Sequence, residues 1–233
     1  MKKYILLLLL ACSGQCFSQT MADVNQTATP IREKNYGPLH FKTLTQCIGQ
    51  KFICLPKPIM LQRFGYSSLR TKKGPLNSVN YQDYVFKLLT LTGFEDDYAV
   101  FLNDRNKKMY INFLGDVNYT MLPGVAPVAE IDSARSMYLG KTLWLKTDFL
   151  NLYNPDTDEF SKIHATKLSP VKVVEVLAGY LEYQPVMFTL ETEDHRRGFI
   201  ACSLSGTNLT QSLAESCSFN SYFFETDPRL QHK

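Results

Sequence analysis

The chain has 233 residues, a formal net charge of +3 and 45% apolar residues. This composition is ordinary for a folded globular protein and excludes global disorder. The near-neutral charge argues against a dedicated nucleic-acid binder, and no apolar run after residue 20 has the length of about 20 residues that a membrane-spanning helix needs.

The first residues have the order of an export signal. Lys2 and Lys3 precede an apolar run from Tyr4 to Ala11, and Cys16–Ser18 fits a cleavage site for a signal peptidase. The apolar run is too short to span a bilayer. Because a lysine and leucine start of this kind is typical of bacteria, we expect a signal peptide over 1–18 and a protein that is periplasmic, outer-membrane-associated or extracellular.

A second processing route stays open at the same place. Leu9–Cys12 resembles a bacterial lipobox, in which Cys12 becomes the lipidated first residue. Leu10 is unusual in such a motif and the apolar run before it is short, so release without a lipid is favoured. Lipidation at Cys12 would instead tether the protein to a membrane.

Four cysteines follow the predicted cleavage site, and an even count in an exported protein permits disulfides. An extended strand between Cys47 and Cys54 would hold their sulfur atoms too far apart. A chain reversal around 205–207 would bring Cys202 and Cys217 together, so this pair is the candidate disulfide. The alternative is that all four are small buried hydrophobic residues. No metal site is expected, because the ligand spacings of metal sites do not occur.

A repeat of about 90 residues organises the rest of the chain. Phe41–Lys57 and Asp132–Asp148 share a short helical pattern, then a glycine, then a strand pattern of period two. The glycines are Gly49 and Gly140. Glycine is preferred just after a helix, where a positive φ is needed.

Each copy continues with a long polar loop and three apolar strands. The predicted strands are Val85–Leu91, Tyr98–Leu102 and Met109–Leu114 in the first copy, and Val171–Leu177, Pro185–Leu190 and Gly198–Leu204 in the second. Each copy therefore predicts a short helix followed by about four strands.

Strands this short need barrel closure or a partner sheet to be stable. The order of a long first loop and three closely spaced strands resembles bacterial SH3-like modules over about Phe41–Asn208. The resemblance implies a mainly β fold of two tandem small SH3-like β-barrels, each preceded by a short helix. A single β-sandwich made from the two halves is the alternative. Neither copy has the acidic first loop and paired aromatics of SH3 domains that bind proline-rich peptides.

The domain boundaries follow from the repeat and from the proline and glycine content between its copies. We predict a signal peptide at 1–18, a flexible leader at 19–38, β module 1 at 39–120, a linker at 121–127, β module 2 at 128–210 and a C-terminal tail at 211–233. Within the tail, Tyr222–Phe224 is able to add a strand to module 2.

No catalytic constellation is predicted. His195 lies in a predicted turn close in sequence to Cys202, but an exposed turn histidine beside a buried cysteine is favoured over a Cys–His dyad. The oxygen-bearing residues of 154–159 lack the glycine and distant glutamate of an EF-hand. Because phosphate-binding and common hydrolase motifs are also missing, we expect neither a cofactor nor an enzyme.

The two long loops carry the candidate binding residues, since loops on a rigid scaffold commonly hold them. The first loop interleaves cations with aromatic rings, which suits an anionic glycan or a peptide. The candidates are Arg63, Phe64, Tyr66 and Arg70 in the first copy, and Trp144, Phe149 and Tyr153 in the second. Trp144 is out of phase with its apolar neighbours and should face away from the core, to bind a ligand or to pack on the other module or the tail.

These expectations together describe an exported bacterial, non-catalytic binding or scaffold protein of the cell envelope. Its ligand is expected to be a cell-wall glycan, a peptide or a protein, with no nucleic acid and with a membrane only if Cys12 is lipidated. One alternative is a cysteine hydrolase that uses Cys202 and His195. Another is a structural subunit of an envelope assembly.

Overall fold

The computed structural model describes residues 37–39, 43–74, 78–113, 122–154, 156–205 and 216–230. The predicted signal peptide, the lipidation candidate Cys12 and most of the predicted leader lie outside these residues. The described chain forms two antiparallel sheets of seven strands each, so the mainly β, two-module prediction is confirmed. The SH3-like character of the modules stays a prediction.

The two sheets have the same strand order. Sheet 1 contains β1 (Lys51–Cys54), β2 (Tyr66–Arg70), β3 (Ser78–Val79), β4 (Leu88–Glu95), β5 (Tyr98–Leu102), β6 (Lys108–Asn112) and β7 (Val125–Pro127). Sheet 2 contains β8 (Thr142–Leu145), β9 (Phe149–Asn154), β10 (Glu159–His164), β11 (Pro170–Leu181), β12 (Gln184–Thr192), β13 (Arg197–Cys202) and β14 (Phe223–Phe224). The orders are β3-β2-β6-β5-β4-β1-β7 and β10-β9-β13-β12-β11-β8-β14, so each strand has a counterpart in the other module.

The register repeats as well as the order. Phe52 of β1 lies opposite Leu89 of β4, and Leu143 of β8 lies opposite Val171 of β11. The glycine before each first strand has positive φ, +84° at Gly49 and +80° at Gly140. Each glycine N–H donates to a strand carbonyl, that of Leu91 at 2.7 Å or of Val173 at 2.9 Å. The repeat in the sequence is therefore a repeat of backbone geometry.

The helices are short and connect the strands. They are α1 (Ile59–Gln62), α2 (Tyr81–Tyr84), α3 (Val128–Tyr138) and α4 (Phe219–Tyr222), with 3₁₀ turns at Thr45–Cys47 and Pro228–Leu230. The longest, α3, places Ile131, Ala134 and Tyr138 in the core of module 2. Among the described helices, none has the length and hydrophobicity needed to cross a bilayer.

The structure differs from the sequence prediction mainly in the long loops. Each loop contains two strands, β2 and β3 in module 1 and β9 and β10 in module 2. Their residues lack a regular period-two pattern, and five of the six residues of β10 are exposed. Val125–Pro127 lies inside the predicted linker, but it forms the strand β7, which pairs with β1. The added strand predicted in the tail is confirmed, since Phe223 and Phe224 pair with β8.

Each module has its own apolar core. The core of module 1 is built around Phe52 and Phe101, whose rings meet edge to face at 5.4 Å. The core of module 2 also includes Leu55, which directly follows β1, and Ala126, which belongs to β7. Because these two residues come from sheet 1 and are buried in the core of module 2, they pack the two modules against each other.

Candidate functional site

A cleft of about 560 Å³ lies between the two modules, and we call it the inter-module cleft. One wall comes from the segment after β1, the start of β2 and the turn before β7. The other wall comes from sheet 2 and α4. The walls include Leu55, Pro56, Lys57, Pro58, Leu61, Ser67 and Ser68 on the first side, and Asn151, Phe160, Tyr180, Leu181, Glu182, Gln184, Phe199 and Tyr222 on the second. The lining is mostly apolar with a few polar groups, as in many ligand sites.

Aromatic rings form a connected group on the sheet 2 side of the cleft. Phe160 and Tyr153 lie opposite each other in the β9–β10 register, with ring centroids 4.9 Å apart. Tyr180 lies 5.8 Å from Phe160, and Phe199 lies 6.3 Å from it. Phe160 is 51% exposed although its ring has three aromatic neighbours. These contacts fix the rings in place, and an exposed fixed ring is a good surface for an incoming ligand.

The opposite rim carries an apolar helix. Ile59, Met60 and Leu61 of α1 are each about half exposed, at 49%, 53% and 50%. The exposed ring of Phe64 follows, with the Arg63 guanidinium 4.6 Å from its centroid. Since α1 buries none of its residues, its side chains are not there to build a core. Neighbouring exposed apolar side chains of this kind are a candidate interaction surface.

The described lining of the cleft contains one positively charged side chain, Lys57, and one negatively charged side chain, Glu182. The Lys57 ammonium donates to the Gly65 carbonyl at 2.7 Å and lies 5.0 Å from the Tyr66 ring centroid. Burial lowers the pKa of Lys57, and the charge of Glu182 opposes that effect. Lys57 and Glu182 balance each other, so the cleft does not favour a strongly anionic ligand over a neutral one.

The Asp158 carboxylate joins the two rims. It accepts from the N–H groups of Ile59 at 2.8 Å and Met60 at 2.7 Å, the first two residues of α1. It also accepts from the Tyr153 hydroxyl at 2.6 Å. A carboxylate at this position satisfies N–H groups that a helix start leaves without internal partners. The Tyr153 hydroxyl, followed by the two amides, lowers the pKa of Asp158, so the contact persists well into mildly acidic solution.

We expect Asp158→Ala to loosen α1 without unfolding the protein. The Ile59 and Met60 amides would lose their acceptor, and their hydrogens should exchange with solvent faster in an NMR exchange experiment. Asp156→Ala changes an exposed residue of the same turn and should leave both rates unchanged. Equal rates in the Asp158→Ala variant and the unmodified protein would contradict the contact.

The candidate residues predicted from the first loop have different positions. Arg63 and Phe64 lie beside the cleft, next to α1. Tyr66 is buried, its ring stacks on Tyr81 at 5.7 Å and its hydroxyl donates to the Leu55 carbonyl at 2.6 Å. Arg70 ends β2, and its guanidinium donates to the Gly74 carbonyl. Tyr66 and Arg70 therefore stabilise the local backbone.

The candidates from the second copy also divide. Tyr153 belongs to the aromatic group beside the cleft. Trp144 is half-buried on β8, opposite Phe224 of the tail and Pro170, as its alternation with buried neighbours predicted. The Lys162 ammonium lies over the Phe149 ring, 4.0 Å from the ring centroid. The sequence prediction did not assign a role to Tyr180, which lies beyond the predicted strand Val171–Leu177, or to Phe199, which lies within the predicted strand Gly198–Leu204.

The cysteine and histidine candidates lie in unlike surroundings. Cys202 is buried, and burial raises the pKa of its thiol well above the ordinary value, which is the reverse of what a nucleophilic cysteine needs. His195 is exposed at a turn, with Nδ1 3.6 Å from the Glu191 carboxylate. The structure holds Cys202 and Cys217 as thiols. In the part of the chain that the structure describes, no three metal-ligating side chains cluster.

The inter-module cleft is thus the site that the geometry singles out, with an aromatic wall, an apolar rim and a carboxylate contact between them. Comparisons of the chain with protein-family models, with curated proteins and with solved structures give no match.

Proposed function

We propose that this chain is an exported bacterial protein of the cell envelope, that it is not an enzyme, and that it binds its ligand in the inter-module cleft. The signal order of residues 1–18 supports the location. The cleft carries the binding part of the proposal, because it combines concavity, fixed aromatic rings and a small number of polar groups. Both modules contribute a wall, which gives the duplicated fold a role in binding.

A cell-wall glycan suits the cleft better than a charged polymer. Phe160, Tyr180 and Phe199 provide rings on which the C–H faces of a sugar can stack. Asn151 and Gln184 provide amide groups for sugar hydroxyls or acetamido groups. Since Lys57 and Glu182 cancel in charge, an uncharged sugar meets no electrostatic penalty in the cleft.

A scaffold role on a protein partner is the second candidate. The observation that favours it is α1, whose Ile59, Met60 and Leu61 expose a continuous apolar surface at the rim. Protein interfaces are centred on such apolar and aromatic side chains. In this alternative the partner covers α1, and the cleft holds one of the partner's side chains.

The test is co-sedimentation of the purified protein with isolated peptidoglycan at low and physiological salt. We expect retention at both salt concentrations, because binding by stacking and hydrogen bonds is weakly screened. The double variant Phe160→Ala, Tyr180→Ala should bind at least about tenfold more weakly, a loss of about 1.4 kcal/mol. Phe86→Ala, which removes another exposed aromatic ring outside the cleft, should bind like the unmodified protein.

The outcomes separate the two candidates. If the double variant is retained as well as the unmodified protein, the cleft is not the glycan site. If even the unmodified protein stays in solution, the glycan proposal fails, and an envelope protein that binds α1 becomes the ligand to seek. Unchanged far-ultraviolet circular dichroism of the variants would show that the loss is local.

A further inference from the structure

Cys202 and Cys217 lie side by side where the C-terminal segment joins module 2. Ser203 and Ser218 form an isolated parallel bridge. The Ser203 N–H donates to the Cys217 carbonyl at 2.8 Å, and the Phe219 N–H donates to the Ser203 carbonyl at 2.8 Å. In such a bridge the residues one position earlier are lateral neighbours that point to the same face.

The two cysteines are buried and closely spaced. Cys202 and Cys217 lie within a stretch of the bridge where Ser203, Ser218, Leu204 and Phe219 are buried as well, so the hydrogen bonds of the bridge define which residues are neighbours. Neighbouring strands lie about 4.8 Å apart. This separation falls within the roughly 4.4–6.8 Å between Cα atoms that a disulfide bridges. The backbone therefore already holds the two cysteines at a separation suited to a bond.

We propose that Cys202 and Cys217 form a disulfide while the exported chain folds, and that this bond fixes the segment that carries one side of the inter-module cleft. The oxidant is a protein or small-molecule disulfide. The thiolate of one cysteine attacks it, which forms a mixed disulfide and releases one thiol. The thiolate of the second cysteine then attacks the mixed disulfide and releases the second thiol. Two protons leave, and two electrons pass from the cysteine pair to the oxidant.

The surroundings of the two cysteines determine at which stage of folding the disulfide forms. Burial and the nearby Glu130 carboxyl raise the pKa of Cys202 in the folded protein. Exchange requires a thiolate with access to the oxidant, so the folded dithiol reacts slowly. Bond formation is therefore expected before the C-terminal segment packs on module 2, and the finished bond is protected from reductants.

The bond is linked to the cleft through the same segment. Tyr222, in α4, lines the cleft, and Gln184 Nε2 donates to its hydroxyl at 3.4 Å. The short chain between Cys217 and Tyr222 includes Phe219, which is fully buried in module 2. A covalent bond at Cys217 therefore anchors the segment that places Tyr222 in the wall of the cleft.

The test uses the full chain, unfolded in guanidinium with a reductant and then refolded in a mixture of reduced and oxidised glutathione. Remaining thiols are blocked with N-ethylmaleimide before digestion with trypsin. No Lys or Arg lies between Gly198 and Pro228, so one peptide, Gly198–Arg229, contains both cysteines. We expect this peptide to carry no maleimide and to be two hydrogen atoms lighter than the dithiol. Cys47 and Cys54 fall in other peptides and should carry the label.

Two further readouts complete the test. The folded, reduced chain in the same mixture should form the bond much more slowly than the refolding chain. The oxidised chain should also unfold at a higher guanidinium concentration than the Cys217→Ser variant. Two maleimides on Gly198–Arg229 after refolding, or a bond from either cysteine to a different one, would overturn the proposal.

Discussion

Phe219→Ala is expected to lower the free energy of unfolding by about 3–5 kcal/mol, the usual range for removing a buried phenylalanine ring. Phe219 has no exposed surface, and its ring stacks on Tyr138 at 4.7 Å. It also lies 5.1 Å from Phe223 and 5.9 Å from Phe188. The ring thus joins α4, α3 and sheet 2, and its loss leaves a cavity between three elements.

Guanidinium unfolding followed by fluorescence or circular dichroism measures this loss. Phe224→Ala is the matched control, because Phe224 lies on the same segment but is only half-buried beneath the Lys146 ammonium, 4.2 Å from its ring centroid. Its loss should be clearly smaller. Equal losses in the two variants would mean that the C-terminal segment does not complete the core of module 2.

Glu130→Ala should destabilise the protein by about 1–3 kcal/mol, the usual cost of leaving a buried donor without an acceptor. The Glu130 Oε1 atom accepts from the Ser203 hydroxyl at 2.9 Å, the Leu204 N–H at 2.7 Å and the Ser205 N–H at 3.3 Å. The carboxyl therefore connects the first turn of α3 to the end of β13. Glu130→Gln keeps an acceptor oxygen and should lose less stability than Glu130→Ala.

The same carboxyl should make stability depend on pH. Burial raises the pKa of Glu130 above its ordinary value of 4.5, and this outweighs the hydrogen bonds that favour the anion. The folded state then binds more protons than the unfolded state, so the contribution of Glu130 is full below pH 4.5 and is lost as pH rises through the raised pKa. The stability difference between the unmodified protein and Glu130→Gln should therefore change with pH. A difference that stays constant from pH 4.5 upward would contradict the raised pKa.

The repeat was predictable because its signals are local. A glycine after a short helical pattern predicts a positive φ, which few other residues adopt, and both Gly49 and Gly140 have one. A period-two apolar pattern such as Phe52 and Cys54 in β1 indicates a strand that is buried on one face. β10 gives no such signal, since hydrogen bonds to β9 rather than burial define it as a strand.

The cleft was not predictable, because it depends on how two modules pack. Tyr180 lies near the end of β11 and Phe199 is out of phase with the buried Ile200 and Cys202, and only the position of the segment after β1 shows that the two rings line a cleft. The Asp158 contact with Ile59 joins residues 99 positions apart. No spacing rule links a turn of one module to a helix start of the other. What the sequence did indicate at the site were the Arg63–Phe64 pair, through its combination of a cation and an aromatic ring, and Tyr153, as an aromatic residue of the second loop.

The way each sheet is completed has a consequence for biosynthesis. In both modules the first strand of the sheet has two neighbours. One is β4 or β11, and the other is the last strand of the sheet, since β7 pairs with β1 and β14 pairs with β8. As the chain emerges from N- to C-terminus, sheet 1 is ready to close once Pro127 is available. Sheet 2 keeps one side of β8 open until Phe224 has emerged, with Tyr138 and Phe188 still lacking their partner Phe219. Folding is therefore expected to proceed from the first module to the second, and the unpaired side of β8 is the strand edge most exposed to aggregation until β14 has paired with it.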